Sequence, residues 1–331
     1  MEYVWLIVGF VLLIKGADFF VDGSSDIAKF FKVPSIIIGL TIVAFGTSMP
    51  EASVSINAAI AGANDIAVSN VLGSNIFNLL VVLGASALLC PVKVHSGSVK
   101  KEFPFSILIT VVLAVLLAVG YTAVTPVASE TSIFDNIASG NAAFVLGRIG
   151  GIVLLALFAF YMFWQIRDAL KARQEDNSTE QEHISIVKAI IMIVGGAVAI
   201  IFGGNLVVDS AKTIASNFGM SDTLIGLTIV AIGTSLPELV TSMVAARKGE
   251  SDIALGNVIG SNIFNIIFIL GISSAILPIT VDILALYDTL ILIAVSIVCL
   301  IFARTKHKVS RVEGLIMVLM YVAYSAYIII R

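Results

Sequence analysis

Apolar residues fall in long runs that lack the alternation of lipid-facing and lumen-facing positions a transmembrane strand needs. Ten of these runs are long enough to cross about 30 Å of hydrocarbon as helices. They cover residues 3–21, 34–61, 66–90, 104–125 and 144–166, and then 185–208, 222–246, 252–276, 284–303 and 312–330. In lipid every backbone amide must be satisfied within its own segment, so the pattern predicts an all-α integral membrane protein with ten transmembrane helices.

Composition agrees: 59% of the 331 residues are hydrophobic and 12% charged, where a soluble domain carries about 25% charged residues. Glu2, not a basic stretch, precedes the first run, and no small-residue cleavage site follows it, so that run is expected to stay as helix 1. The placement of Lys and Arg sets orientation. With the N-terminus outside, the inner loops hold fourteen of them: Lys29, Lys32, Lys93, Lys100, Lys101, Arg167, Lys171, Arg173, Arg247, Lys248, Arg304, Lys306, Lys308 and Arg311. The outer side keeps Arg148, Lys212 and Arg331, and Lys15 and Lys188 fall inside helices. Both termini are therefore expected outside, in a multi-pass protein of the cell (inner or plasma) membrane. Cys90 and Cys299 stand far apart, belong to no metal-binding spacing, and read as packing residues.

Residues 39–84 align with 226–271 without a gap at an offset of 187, and 28 of the 46 pairs are identical. Gly-Thr-Ser-Met-Pro-Glu at 46–51 returns as Gly-Thr-Ser-Leu-Pro-Glu at 233–238, and Gly-Ser-Asn-Ile-Phe-Asn at 73–78 returns unchanged at 260–265. Weaker similarity reaches back to Val21-Asp22 against Val208-Asp209. The chain thus divides into a first five-helix repeat (1–168), a polar and acidic linker on the inner side (169–184) and a second five-helix repeat (185–331). Five is odd, so the second repeat enters the membrane from the opposite side and the two are inverted. Such architecture places substrate near the midplane, where discontinuous helices meet, and supports alternating access.

A carboxylate near the bilayer centre costs about 2.5–3.5 kcal/mol even on lenient insertion scales and usually lines a pathway or site. Glu51 and Glu238 occupy such positions, each directly after a proline and at the same place in both repeats. Pro50 cannot donate to the carbonyl of Gly46, nor Pro237 to that of Gly233, so both helices should bend there and leave carbonyl oxygens free. Thr47, Ser48 and Glu51, like Thr234, Ser235 and Glu238, are spaced to share adjacent parts of one helical face. Ser74 with Asn78, and Ser261 with Asn265, stand one turn apart. The result is a ring of hard oxygen donors of the kind Ca²⁺ takes, six to eight at about 2.3–2.6 Å, with neither Cys nor His for a softer metal. Any one of the small polar residues alone is explained as well by helix packing. Asp65 and Asp252 precede apolar runs and match N-cap chemistry, while Asp22 and Asp209 are expected to close helices 1 and 6. The connection at 125–143, with Glu130 and Asp135, shows no ligand-like spacing.

The paired Gly-Thr-Ser-x-Pro-Glu and Gly-Ser-Asn-Ile-Phe-Asn segments resemble the α-repeats of the sodium/calcium exchanger family, in the calcium/cation antiporter superfamily. The resemblance covers nearly the whole chain and is to the compact prokaryotic type. It implies an antiporter exchanging Na⁺ for Ca²⁺, with central ligands Glu51, Asn78, Glu238 and Asn265. Flanking oxygens would come from Thr47, Ser48, Ser74, Thr234, Ser235 and Ser261, and the backbone carbonyls of Ala44 and Ala231 would complete the sodium sites. It also implies that helices 1 and 6 slide over the other eight. One departure stands out: many exchangers that this chain resembles carry an aspartate at the place of Asn265. Two formal negative charges then remain, enough to balance one Ca²⁺ or two Na⁺. Proton/calcium or other cation/proton exchange through Glu51 and Glu238 stays open at this stage, as does a cation channel. An intramembrane enzyme would need a nucleophile with its base, a metal cluster or paired aspartates, and none stands in the sequence. The expected partners are Na⁺, Ca²⁺ and the lipid bilayer, with no resident cofactor and no nucleic acid, and the chain is expected to act as a monomer.

Overall fold

The computed structural model describes residues 1–62, 64–123, 142–175, 184–220 and 231–330. Eight helices among them are long and apolar enough to cross a membrane: α1 (Glu2–Phe31), α4 (Ile66–Leu89), α5 (Ser96–Val119), α6 (Arg148–Glu175), α7 (Ile186–Asn217), α10 (Ser251–Ile276), α11 (Ile283–His307) and α12 (Arg311–Ile330). A ninth span arises if α2 (Ser35–Thr47) and α3 (Met49–Ile60), which bend by 52° where they meet, cross as one. Two short segments, α8 (Ala231–Thr234) and α9 (Leu236–Arg247), complete the helices. The residues before them, 221–230, where the run at 222–246 begins, lie outside the described residues.

Hydropathy marks where a chain leaves hydrocarbon, whereas helical hydrogen bonding runs on past that edge. Thus α1 has 30 residues and α7 has 32, about 45 and 48 Å at 1.5 Å per residue, and neither Asp22 nor Asp209 closes its helix as the apolar boundaries suggested. Asp22 instead receives Lys248 Nζ at 2.7 Å, while the same ammonium donates to the Asp18 carbonyl at 2.9 Å. Together with Ser25, which donates to Glu250 at 2.8 Å, these contacts tie α1 to the turn between α9 and α10. Likewise α6 continues to Glu175, so the first seven residues of the expected linker are helical. Strong helix formers and an i,i+4 Lys171–Glu175 pair at 3.8 Å explain it. Residues 176–183, and Glu130 and Asp135 in the other long connection, lie outside the described residues. Asp252 is not an N-cap: Glu250 holds that position, and Asp252 sits in the first turn of α10 with Oδ1 3.4 Å from His95 Nε2. The side chain of Asp65 lies outside the described residues.

Burial ranks the helices. In α10 94% of the most apolar window is buried and in α4 72%, against 22% in α7 and 11% in α12. α4 and α10 are therefore the central pair. α2 crosses α10 where Gly39 and Gly256 meet: a Cβ built on Gly256 would come within 2.8 Å of the Gly39 Cα. α1 packs along α7, and the Phe20 ring of α1 lies against Gly46, one residue before Thr47. Two small antiparallel sheets tie connections from the two halves together. β1 (Val92–Lys93) pairs with β5 (Lys308–Val309), and β3 (Ala142–Leu146) lies between β2 (Tyr121–Ala123) and β4 (Ile279–Val281). Cys299 is buried and Cys90 half-buried, both free thiols.

Candidate functional site

The two Ser-x-Pro-Glu segments break their helices in the same way. Ser48 (φ −83°, ψ 7°) and Ser235 (φ −93°, ψ 6°) leave the helical region, and the proline falls in the first turn of the helix that follows. There a missing N–H costs nothing, so the break comes two residues before the proline, not at it. Each glutamate then stands in the first turn of a helix, where the macrodipole favours negative charge.

The break also changes which groups meet. Thr47, Ser48 and Glu51 do not form one continuous face; their hydroxyls reach across to the other copy. Ser48 Oγ donates to Glu238 Oε1 at 2.9 Å, and Ser235 Oγ donates to Glu51 Oε1 at 2.9 Å. Ser235 Oγ also lies 3.1 Å from Ser74 Oγ, and Ser261 Oγ lies 3.5 Å from Glu238 Oε1. Thr47 Oγ1 donates to Asn257 Oδ1 at 2.9 Å. Thr234 is half-buried beside Glu51. Glu51, Glu238, Asn78, Asn265, Ser48, Ser235 and Ser261 are all fully buried, and Thr47 and Ser74 nearly so. The Ala44 carbonyl accepts the Ser48 N–H at 3.0 Å, and the Ile232 carbonyl accepts the Ser235 N–H at 3.2 Å. Thr47, Ser48 and Ser261 thus gather about Glu238, and Ser74, Thr234 and Ser235 about Glu51; Asn78 and Asn265 bond Asn262 and Asn75 instead, and Ala44 and Ala231 start the short helical turns before Ser48 and Ser235.

Two asparagine pairs absent from the expected set complete the network. Asn257 Nδ2 bonds Ser242 Oγ at 2.9 Å and the Glu238 carbonyl at 3.4 Å; Asn70 Nδ2 does the same to Ser55 Oγ at 2.9 Å and the Glu51 carbonyl at 3.4 Å. Asn75 and Asn262 join α4 to α10 at their crossing. Every one of these residues is identical between the two copies at offset 187, a signal the sequence already carried.

Ten buried side-chain oxygens have no hydrogen-bond partner among the described residues, and six of them form three repeat-equivalent pairs: Glu51 Oε2 with Glu238 Oε2, Asn78 Oδ1 with Asn265 Oδ1, and Ser86 Oγ with Ser273 Oγ. A buried acceptor without a donor costs about 1–3 kcal/mol, more when charged. Two carboxylates and two amide oxygens in that condition are a donor set for a hard cation. No group of three or more His, Cys, Asp and Glu occurs among the described residues, so amide and hydroxyl oxygens must supply the rest of any coordination shell. Removing the Ser48 hydroxyl (Ser48→Ala) takes a charge-assisted bond from Glu238, worth about 1.5–3 kcal/mol. The expected result is a cation concentration for half-maximal binding raised about tenfold or more, read by isothermal titration of the purified protein.

The family described as sodium/calcium exchanger protein matches residues 1–167 and 188–330. The putative antiporter CaxA of Alkalimonas amylolytica is 40% identical over 97% of this chain and 96% of its own length. The sodium/calcium exchanger MaX1 of Methanosarcina acetivorans is 35% identical over 98% and 97%. A solved structure of the sodium-calcium exchanger NCX_Mj, soaked with 10 mM Na⁺ and 10 mM Sr²⁺, superposes with a TM-score of 0.81 at 31% identity, covering 98% of this chain and 97% of that one. On these matches, spread over both repeats, the chain belongs to the sodium/calcium exchanger family.

Proposed function

We propose that this chain is an antiporter that exchanges Na⁺ for Ca²⁺ by alternating access, with both ions competing for the oxygens of Glu51, Asn78, Glu238 and Asn265. The observation that carries the reading is that each of these four residues, two from each copy of the repeat, has one buried, unpartnered oxygen. Thr47, Ser48, Ser74, Thr234, Ser235 and Ser261 supply flanking oxygens, and the carbonyls of Ala44 and Ala231 serve Na⁺. Two carboxylates balance one Ca²⁺ or two Na⁺, and either load makes the centre neutral enough to change access; with neither bound, two buried negative charges oppose closure.

The ten helices form two inverted five-helix repeats, 1–168 and 185–331, joined by the connection at 169–184. The bent pair α2/α3 and the pair α8/α9 are equivalent broken segments of the two repeats. α1 and α7 slide together across the remaining helices. Both termini face outward from the cell membrane, and the chain acts as a monomer.

The test is ⁴⁵Ca²⁺ uptake by purified protein in proteoliposomes. Loading with Na⁺ and diluting into Na⁺-free medium is expected to drive uptake, and collapsing the Na⁺ gradient to stop it. Uptake that follows a pH gradient and ignores Na⁺ would instead show proton coupling.

A further inference from the structure

Resting on that reading of the centre, we infer that Asn75 and Asn262, which contribute no oxygen to it, are positioning residues that fix the amides of Asn265 and Asn78 with their carbonyl oxygens turned toward the cation. The four side chains are buried where α4 crosses α10. Asn75 Nδ2 donates to the Asn262 main-chain carbonyl at 3.1 Å, and Asn262 Nδ2 donates to the Asn75 main-chain carbonyl at 3.1 Å. Each amide nitrogen is thereby committed to the opposite helix, which leaves each amide oxygen pointing the other way. Asn75 Oδ1 accepts from Asn265 Nδ2 at 3.0 Å, and Asn262 Oδ1 accepts from Asn78 Nδ2 at 3.2 Å.

An asparagine side chain offers an acceptor at one end and donors at the other. Turning Asn265 over would set its oxygen against the Asn75 oxygen and present an NH₂ group to a cation. Turning Asn75 over as well would relieve that contact but set its oxygen against the Asn262 carbonyl. The orientation is therefore locked from outside the ring, twice, by reciprocal bonds. The main chain cooperates: the helix widens to π geometry at Asn78–Val82 and again at Asn265–Leu270. Asn75 and Asn262 lie three residues before these π turns, and the Asn262 carbonyl takes the Asn265 main-chain N–H as well as the Asn75 amide.

The lock matters in this chain because Asn265 is an amide. A carboxylate has two equivalent oxygens and no wrong way round, so a centre with an acid at that place would not need Asn75 to orient it. Asn75→Ala is therefore compared in two backgrounds, native and Asn265→Asp, by ⁴⁵Ca²⁺ uptake into proteoliposomes under a Na⁺ gradient. The expected result is a half-saturating Ca²⁺ concentration raised about tenfold by Asn75→Ala in the native background and less than about twofold in Asn265→Asp, a coupling a double-mutant cycle reads directly. The mirror pair, Asn262→Ala with Asn78→Asp, is expected to behave the same way.

Equal losses in both backgrounds, or no loss in either, would overturn the positioning role and leave a packing role. If Asn75→Ala is not recovered as a monodisperse protein, Asn75→Ser enters the same two backgrounds, with equal effects again decisive against the proposal. The native chain separates the two ideas: uptake that ignores Na⁺ strikes the exchange reading, whereas Na⁺-driven uptake with uncoupled Asn75 losses strikes only the positioning.

Discussion

Glu51→Gln and Glu238→Gln are each expected to abolish sodium-driven calcium uptake while leaving the protein folded. Glutamine keeps the size of glutamate and an oxygen to accept the Ser235 or Ser48 hydroxyl, both at 2.9 Å, so the interlock between the two copies survives. What it removes is one of two formal charges in a fully buried centre. At 4 Å and an effective dielectric of 20, a unit pair contributes about 4 kcal/mol, and a divalent ion about twice that. Even the smaller figure is close to a thousandfold in affinity. Two measurements check it. Uptake in proteoliposomes should fall to the level of empty vesicles in both variants. Calcium should also stop raising the melting temperature, since a ligand stabilises only by RT ln(1 + [L]/Kd). Native-like exchange in either variant would remove that glutamate from the centre. Melting temperatures that fall sharply without calcium would assign the residue to the fold.

The equality of the two variants has a structural source. The serine beside each glutamate donates to the opposite one, so each half completes the hydrogen bonding of the other's glutamate. This arrangement could not be read from helical spacing. The pattern Thr-Ser-x-x-Glu placed three oxygens on one face, which assumes that the helix continues, but Ser48 and Ser235 are where it stops. Sequence located the break through its prolines and misjudged its register by two residues, because a proline tolerated in a first turn marks the start of the next helix.

Burial of the candidate residues was legible for a related reason. Repetition at offset 187 singles out paired polar residues, and Glu51, Asn78, Glu238 and Asn265 carry four of the ten buried unpartnered oxygens. The same repetition contained Asn70, Asn75, Asn257 and Asn262. In sequence, an asparagine near a ligand and an asparagine behind one look alike; only the crossing of α4 and α10 separates them. Helix ends were the least legible: apolarity fixed where α1 and α7 enter lipid, while the polar turns beyond, around Asp22 and Asp209, are helical by local hydrogen bonding and contacts such as Lys248–Asp22.

Gly196→Leu and Gly195→Leu, adjacent on α7, are expected to have opposite effects. Glycines 9, 16 and 23 on α1 recur every seven residues and face Gly203, Gly196 and Ala189 on α7, a spacing that keeps one seam in register between two packed helices. A Cβ on Gly196 would lie 2.7 Å from the Gly16 carbonyl oxygen and 2.7 Å from the Phe20 N. Both are backbone atoms of α1 and cannot swing aside. A Cβ on Gly195 meets nothing within 4 Å. Leucine is the better helix former by about 0.8–1 kcal/mol, so Gly195→Leu should hold or raise the melting temperature and leave uptake intact. At Gly196 the same gain is opposed by overpacking of about 1–3 kcal/mol or more, and α1 can relieve it only by moving away from α7. Phe20, whose backbone takes the clash, also carries the ring that rests on Gly46 beside the broken helix. Displacing it disturbs the support of Thr47 and Ser48 as well as the seam. The expected outcome for Gly196→Leu is a lower melting temperature together with lost sodium-driven uptake. If both variants transport and melt alike, α1 and α7 are not held by this seam, and the proposal that they move as one unit loses its mechanical basis.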